Sequence, residues 1–569
     1  MTARDLVSEI RRMDGKGYRS YKDLKGEFTI GEAVLFIDHV QGDPFAAPSR
    51  MRLRIPQSVA GFPGWSYDTK TREVALRDLV ARRFWESGRR HARGGMGSGG
   101  SGRVSIPRPG QEVLERSSVV VNKAFAEVRF TAGLPANGRK VAGENAIRLL
   151  TEFLPSIVEE SLLYSSYKEK LVQRHLHCVE DAQALRMALV SKGLVAFIAD
   201  GSSLPRRSGV DPGPLRDAVP FRSPPSLRVS IETPNSGLVT GMGVPQGLTL
   251  IVGGGYHGKS TLLDAIKHGV YDHIPGDGRE LTVTVPDAVK VRSEDGRRVE
   301  RVDISSFIGH LPGGAVTEEF CTDNASGSTS QATNVMEALE TGASLLLIDE
   351  DSSASNFMTR DRRMQALVSK DNEPIRPFVD RVRPMMDSQG CSCVLVVGGS
   401  GDFLEIADTV VMMSSYLASD VTAEAKDIAA SLPSGREAEV CGFQPPADRV
   451  PLSKSLDPSR GSKDIGVSVK DVHHVVFGRE DVELSSLEQL VDISQTRAVA
   501  DAMVVAWRMM DGETSMRELA EKVIELISDK SLDRLGEVNG ERATFRPHEL
   551  VAALNRLRTI VVYQRSRSR

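Results

Sequence analysis

Cysteine is scarce in this 569-residue chain. Five residues (Cys178, Cys321, Cys391, Cys393 and Cys441) are an odd number thinly spread, which argues for a reducing compartment and against a disulfide scaffold. Only Cys391 and Cys393 are near neighbours, and they lead into an apolar strand. Long hydrophobic runs are also missing. Stretches such as Leu248–Val252 and 394–397 fall far short of the roughly 18 to 20 residues a spanning helix needs, so membrane insertion is not expected and any membrane role requires a partner. Residues 1–20 hold Asp5, Glu9 and Asp14 among their basic residues and no apolar core segment, unlike a secretory signal or a transit peptide. What is present is ordinary globular material: 40% hydrophobic and 26% charged residues exclude a mainly disordered or collagenous chain. At roughly 150 residues per domain, the length predicts about three or four units.

Net charge is only -4, but it is unevenly placed. Residues 1–240 carry 36 basic against 26 acidic side chains, and the remainder 36 against 50. The excess concentrates in 82–140, where twelve basic residues face four acidic ones. Within it, R-R-H-A-R-G-G-M-G-S-G-G-S-G-R at 89–103 has the composition of a flexible loop able to follow a phosphate backbone, with Phe84 and Trp85 beside it as stacking groups. The candidate RNA-binding residues are Arg82, Arg83, Trp85, Arg89, Arg90, Arg93, Arg103, Lys123, Arg129, Arg139 and Lys140. The plain alternative is a solvated insertion whose arginines bind nothing specific.

Three domains follow from the patterning. Residues 1–200 mix short elements with helical spacing and form a basic α+β domain, the candidate RNA-binding one. The proline-rich stretch after residue 200 disfavours regular structure and marks a boundary near 200–225. Residues 201–430 alternate β-rich runs with helical patterns, predicting a layered α/β domain. Residues 431–569 are expected to be mostly helical, with apolar helical spacing over 487–510 and 516–527.

The informative segment is 247–261. The apolar run L-T-L-I-V leads into G-G-G-Y-H-G-K-S-T, which matches G-x-x-x-x-G-K-[ST] from Gly253 to Ser260. Gly253, Gly254, Gly255 and Gly258, with Tyr256 and His257 between them, form a loop whose N–H groups converge on phosphate oxygens at a helix N-terminus. Lys259 then neutralises the β and γ phosphates, Ser260 offers its hydroxyl to Mg²⁺, and Thr261 supports the α-phosphate. A second apolar run, 344–348, ends in Asp349 and Glu350, two carboxylates at the carboxyl edge of a parallel sheet. Asp349 is expected to hold Mg²⁺, and Glu350 to orient the attacking water.

A third motif, N-A-S-G-S-T-S-Q at 324–331, opens a helical run with Ser326, Gly327, Ser328 and Thr329 at its start. It resembles the signature loop of ATP-binding-cassette ATPases, and its 23-residue separation from Asp349 matches that fold. D-E-D-S-S-A-S-N at 349–356 is similar to the D-E-P-T-S-A-L-D of those ATPases, so 353–356 resembles the loop that crosses their dimer interface. The strings G-G-G-Y-H-G-K-S-T, H-I-P-G-D-G-R-E, A-S-G-S-T-S-Q-A and N-F-M-x-R-D extend the resemblance over nearly the whole chain, to the small family of soluble ABC-class ATPases found in bacteria and kinetoplastids. The resemblance implies an α/β fold with an ABC-type P-loop core, ATP and Mg²⁺ as cofactors, and a homodimer in which each phosphate loop faces the partner's 326–329 segment. A kinetoplastid mitochondrial member works in RNA editing and binds RNA, and the arginine/glycine stretch is most similar to that member. This implies single-stranded RNA as partner, a ribonucleoprotein complex, and a mitochondrial location; otherwise the location is cytoplasmic. One departure stands out. The usual switch histidine would fall near 398–400, where the sequence is G-G-S, leaving Ser400, Asp402 or His257 as substitutes. The alternatives are an ATP-binding scaffold with little turnover and the ATPase subunit of a membrane transporter.

Overall fold

The computed structural model describes residues 1–311, 313–438 and 442–565, so Cys441 and the last residues of the basic tail lie outside the described residues. Contacts gather the chain into two compact units, one of Met1–Glu180 with Ile527–Thr544, the other of Asp181–Leu526 with the chain from Phe545 onward. This division departs from the sequence expectation twice. The first break falls inside the helix Glu169–Ser191, because the apolar run after it becomes a buried strand of the second unit's sheet. The segment Ile527–Thr544 belongs to the first unit: Asp533 pairs with Arg129 through two bonds of 2.6 and 3.0 Å, and Gly540 lies where any Cβ would strike the Arg129 carbonyl.

The first unit is built on an antiparallel sheet of β1 (Gly26–Ile30), β2 (Ala33–His39), β3 (Ser49–Pro56), β4 (Val104–Ser105), β5 (Val119–Val121) and β6 (Phe125–Ala132). Their order is β1-β2-β3-β6-β4, with β5 also paired to β6. In β3 the alternation M-R-L-R-I puts Met51, Leu53 and Ile55 inside and Arg50, Arg52 and Arg54 outside, the period of two that a one-faced sheet demands. The helix α1 (Lys70–His91), capped by Thr69 accepting from the Arg72 N–H, buries Ala81, Phe84, Ser87 and Gly88. Phe84 meets Phe130 of β6 at 5.5 Å between ring centres. A fully buried Phe such as this contributes roughly 2–3 kcal/mol.

In the second unit, β7 (Leu194–Ala199), β10 (Arg228–Thr233), β11 (Gly237–Pro245) and β13 (Thr282–Thr284) make an antiparallel sheet of order β10-β11-β7-β13. The proline-rich stretch expected to be irregular contains a short hairpin, β8 (Arg206–Ser208) with β9 (Asp211–Pro214). It persists because Arg206 ties it to Asp277 at 2.7 Å, a contact far away in sequence. The larger sheet holds β12 (Leu248–Val252), β14 (Ala288–Val291), β15 (Leu345–Asp349), β16 (Ser392–Val396), β17 (Thr409–Ser414) and β18 (Leu417–Asp420), ordered β14-β15-β16-β12-β17-β18. All pairings are parallel except β17 with β18. Its central strands are buried along their length, as near-continuous apolar runs require. Cys391 and Cys393 are buried at and within β16, and burial pushes the Cys391 thiol up to about 12. The C-terminal part carries the helices Ile493–Met509, Met516–Lys530 and Pro547–Leu554 and a small three-stranded sheet. Its first helix starts six residues later than the apolar spacing predicts, leaving 487–492 outside it, with a turn closed by the Leu490 N–H donating to the Leu487 carbonyl at 3.0 Å.

Candidate functional site

β12, β15 and β16 run parallel, so their carboxyl ends share one sheet edge, with β16 between the other two. The phosphate loop leaves β12 and feeds the helix α2 (Lys259–His268). Its backbone requires glycine twice. Gly253 (φ +136°) lies where a Cβ would strike the Met413 carbonyl, and Gly258 (φ +99°) where one would come within 2.7 Å of the Tyr416 ring. Lys259 Nζ donates to the carbonyls of Gly253 and Gly254 at 2.8 and 2.9 Å, so its ammonium lies against the loop itself. Gly254 and Gly255 are exposed at the mouth, as is the Tyr256 side chain. His257 acts within the loop. Its Nδ1 accepts from the Ser415 N–H at 2.7 Å, and its carbonyl accepts from the Tyr416 N–H, tying the loop to the turn between β17 and β18. The ring's Nδ1 is thereby bonded to that turn and not to Glu350. A glycine-lined loop with a lysine in its cradle at a helix N-terminus fits a nucleotide's phosphates.

Ser260 and Thr261 open a cleft of about 530 Å³ that Asp349 also lines. A hydroxyl and a carboxylate, both oxygen donors, fit the hard ion Mg²⁺, which takes its remaining ligands from phosphates and water. Glu350 turns the other way. Its Oε2 accepts from the N–H groups of Gly398 (2.5 Å) and Gly399 (2.9 Å), and its Oε1 from the Ser400 hydroxyl (2.5 Å). Burial by itself pushes the Glu350 pKa up; the Ser400 hydroxyl, then the Gly399 and Gly398 N–H groups, outweigh it and hold the carboxyl below its usual range. Of the three candidates named for the absent histidine, Ser400 is the one bonded to Glu350. Asp402 instead accepts from Thr359 and lies 3.6 Å from Arg436.

The helix α3 (Gly327–Glu340) begins at Ser326, which caps it by accepting from the Thr329 N–H. Ser326 is exposed, but Ser328 and Thr329 are buried and committed within the chain: the Ser328 hydroxyl donates to Asn356 at 2.7 Å, and that of Thr329 bonds Ser326. The expectation that all four residues of 326–329 meet a partner's nucleotide therefore narrows to Ser326 and Gly327. Gln331, which ends the 324–331 motif without a role read from it, binds the Ser353 hydroxyl and the Ala354 N–H and so joins α3 to the segment after Glu350.

The arginine/glycine stretch of the first unit is ordered where a flexible loop was expected. Gly97 and Gly99 take positive φ and pack so closely on the carbonyls of Ala136 and Pro44 that neither position has room for a Cβ. Ser98 N–H and Gly102 N–H donate to Ala136 and Gly133, and Arg93 and Arg103 lie opposite each other across an antiparallel bridge. The result is a cleft of about 770 Å³ lined by Arg83, Trp85, Arg89, Arg90, Arg93 and Arg103, with Glu86 the acidic residue of its lining. The Arg89 and Arg108 guanidiniums lie 4.8 and 5.2 Å from the Trp85 ring centre, and Arg90 pairs with Glu160 at 2.7 Å. Two candidates are removed. Arg82 is bound to buried Asp78 and to the Gly110 and Glu112 carbonyls, and Arg129 is spent on Glu127 and Asp533. Lys123, Arg139 and Lys140 are exposed but do not line the cleft.

The glycine loop, the carboxylate pair on β15 and the intervening β16 define an ATP-binding-cassette type of P-loop ATPase core, and residues 168–445 match the P-loop domain of ABC ATPases. Residues 3–165 match the N-terminal domain of ATPases of the ABC class, and 466–563 the C-terminal domain of MRB1590, a kinetoplastid editing-associated family. The three matches together run along most of the chain, whose core is a P-loop domain of the ABC ATPases. An uncharacterized protein of Methanocaldococcus jannaschii, MJ1628, is 31% identical over 245 residues, 41% of this chain and 53% of that protein, so the match spans about half the relative's length. Similar solved structures include cbiO1 from Clostridium perfringens, part of the ABC transporter complex cbiONQ (11% identical, TM-score 0.25, covering 42% of this chain and 96% of that one). Another is the ADP conformation of MJ1267, an ATP-binding cassette of an ABC transporter (14%, TM-score 0.23, covering 35% and 89%). No helix among the described residues is long and apolar enough to cross a membrane.

Proposed function

We propose that this protein is an RNA-binding ATPase that works as a homodimer, hydrolysing ATP to ADP and phosphate and coupling that cycle to single-stranded RNA in a ribonucleoprotein setting such as mitochondrial RNA editing. In the ATPase half, the loop N–H groups of 253–258 bind the phosphates and Lys259 swings from its own loop carbonyls onto the β and γ oxygens. Ser260 and Asp349 hold Mg²⁺, which when bound neutralises charge on the transferring phosphoryl group. Glu350 orients and polarises the attacking water, with Ser400 and the 398–399 N–H groups fixing the direction of its carboxylate. A carboxylate so fastened supports turnover over a merely nucleotide-binding scaffold. In the dimer, the exposed Ser326 at the start of α3 offers a hydroxyl and a helix N-terminus to the partner's γ-phosphate.

The observation that carries the RNA reading is the cleft of the first unit, where five arginines and Trp85 converge on a space of about 770 Å³. Arginines neutralise the phosphate backbone, and an indole ring stacks a base of any sequence. The test is fluorescence anisotropy with labelled single-stranded RNA across a salt series, with and without ATP and Mg²⁺, on wild type and on the Arg89, Arg90, Arg93 triple alanine variant. Wild type should lose affinity with a log–log salt slope of about -0.7 per phosphate contacted, and the triple variant should bind weakly with a shallower slope. Equal binding by both proteins sinks the cleft as the RNA site.

A further inference from the structure

The phosphate loop leans on the turn between β17 and β18, and the contact is unusual on both sides. Ser414 pairs with Leu417, so the turn holds two residues, Ser415 (φ +48°) and Tyr416 (φ +67°). Both lie in the left-handed region that glycine and asparagine normally occupy in such a turn. In the loop, Tyr256, next to His257, takes φ +62°. Among the described residues six non-glycine residues have positive φ, and three of the six sit in this loop and this turn. Strain of this kind persists where surrounding structure over-determines it, and it gathers at functional sites.

His257 is what joins the two. Its Nδ1 accepts from the Ser415 N–H at 2.7 Å and its carbonyl from the Tyr416 N–H at 3.0 Å, so both residues of the turn donate to one residue of the loop. The Tyr416 ring lies over Gly258, between His257 and Lys259, where a Cβ would come within 2.7 Å of it. The hairpin is itself fastened: Asp420, at the end of β18, accepts from the Ser226 hydroxyl at 2.5 Å and from the Thr422 N–H at 3.0 Å. A nitrogen that accepts from a backbone N–H carries no proton of its own, which makes the ring the Nε2–H tautomer. The N–H groups of 253–258 can converge on an anion only while the backbone of the loop keeps its shape.

We propose that His257 is a positioning residue for phosphate binding: through Nδ1 it fastens the loop to the strained β17–β18 turn, and the turn braces the loop N–H groups in the shape that takes the phosphates. The proposal rests on the reading of 253–261 as the phosphate loop. What the brace needs is a hydrogen-bond acceptor at the Nδ1 position; the Nε2–H edge has no part in it. Because the brace acts on the loop backbone, it serves any triphosphate, whatever nucleoside is attached.

The test uses the full chain, with binding of a fluorescent ATP analogue measured in Mg²⁺ and inorganic tripolyphosphate added as its competitor. His257→Ala should weaken both ligands by the same factor, about threefold to tenfold, the order set by one neutral hydrogen bond. His257→Asn places an amide oxygen where Nδ1 stood and should recover most of the loss, whereas His257→Gln, whose amide reaches the Nε2 position instead, should not. In steady-state hydrolysis His257→Ala should raise KM by that factor and hold kcat within about twofold, the split expected when ground state and transition state lose the same phosphate contact. Tyr416→Ala, made in the turn, should also weaken both ligands, and this keeps the proposal testable should His257→Ala fold poorly. Unchanged tripolyphosphate binding in either alanine variant overturns it, as does a loss confined to ATP. Recovery by Gln and not by Asn overturns it too, since the ring would then act through Nε2 on the phosphate itself. Lys259→Ala separates the two levels. Should it leave tripolyphosphate binding unchanged, the phosphate-loop reading falls and the proposal with it; should it abolish that binding while His257→Ala does not weaken it, the proposal alone falls.

Discussion

Replacing Ser400 by alanine removes one of the three bonds that orient Glu350 while leaving the backbone of the 398–400 loop in place. The bond is short, 2.5 Å, and its acceptor is a carboxylate, so it belongs to the charge-assisted class that contributes roughly 1.5–3 kcal/mol. Glu350 is half-buried and keeps the Gly398 and Gly399 N–H groups on its other oxygen, which puts the loss at the lower end, about 1.5 kcal/mol. With about 1.4 kcal/mol per factor of ten, kcat for ATP hydrolysis should fall about tenfold while KM for ATP stays near wild type, because Ser400 is not among the phosphate-loop residues. The pH profile supplies a second readout. The Ser400 hydroxyl is the leading influence holding the Glu350 carboxyl below its usual range, so its removal raises that pKa and moves the acid limb of kcat to higher pH. Ser400→Thr keeps the hydroxyl and should retain most of both. The assay is steady-state phosphate release from about pH 4 up to about pH 9, so that the acid limb falls inside the range. A Ser400→Ala enzyme with wild-type kcat and an unmoved acid limb refutes the assignment of Ser400 to the place of the missing histidine.

Two further predictions concern stability. His548, buried on the helix Pro547–Leu554, has its pKa driven down to about 3, by burial first and then by Arg546 and Arg517. The unfolded chain therefore takes up the proton first. Stability fully present above about pH 6.5 should be lost toward about pH 3 at about 1.4 kcal/mol per unit, and urea unfolding of His548→Gln should show a flatter dependence across that window. Gly99→Ala places a Cβ against the Pro44 carbonyl at φ +61°, and should lower the melting temperature through a loss of about 1–3 kcal/mol in the first unit. The same change should weaken RNA binding, because the ordered glycine stretch carries Arg93 and Arg103 on its flanks; RNA affinity equal to wild type in a destabilised Gly99→Ala protein would separate the loop from the cleft.

The amino-acid sequence by itself determined the parts of the nucleotide site that are contiguous. The loop 253–261, the carboxylates after the β15 run and the capped start of α3 are each short strings in which glycine conformation, helix-terminus chemistry and strand apolarity coincide, so local pattern suffices. The charge excess of 82–140 likewise pointed to the first unit's cleft, because a concentration of one sign is a property of composition. What tertiary structure alone decided are matters of partnership between distant residues. Arg82 and Arg129 read like Arg89 and Arg93 in sequence, and only the presence of Asp78 and Asp533 beside them turns them into structural ions. Ser400, Asp402 and His257 stand as equal candidates on the line; the parallel pairing of β15 with β16 brings the 398–400 loop against Glu350, so that Ser400 is the one of the three that bonds it. The Gly-rich stretch read as flexible because glycine permits every backbone angle, yet the same absence of a Cβ lets it pack against the Ala136 and Pro44 carbonyls. His257 sits inside a local motif, yet its bond to Ser415 spans 158 positions and follows from β12 and β17 pairing side by side, a placement no local spacing encodes.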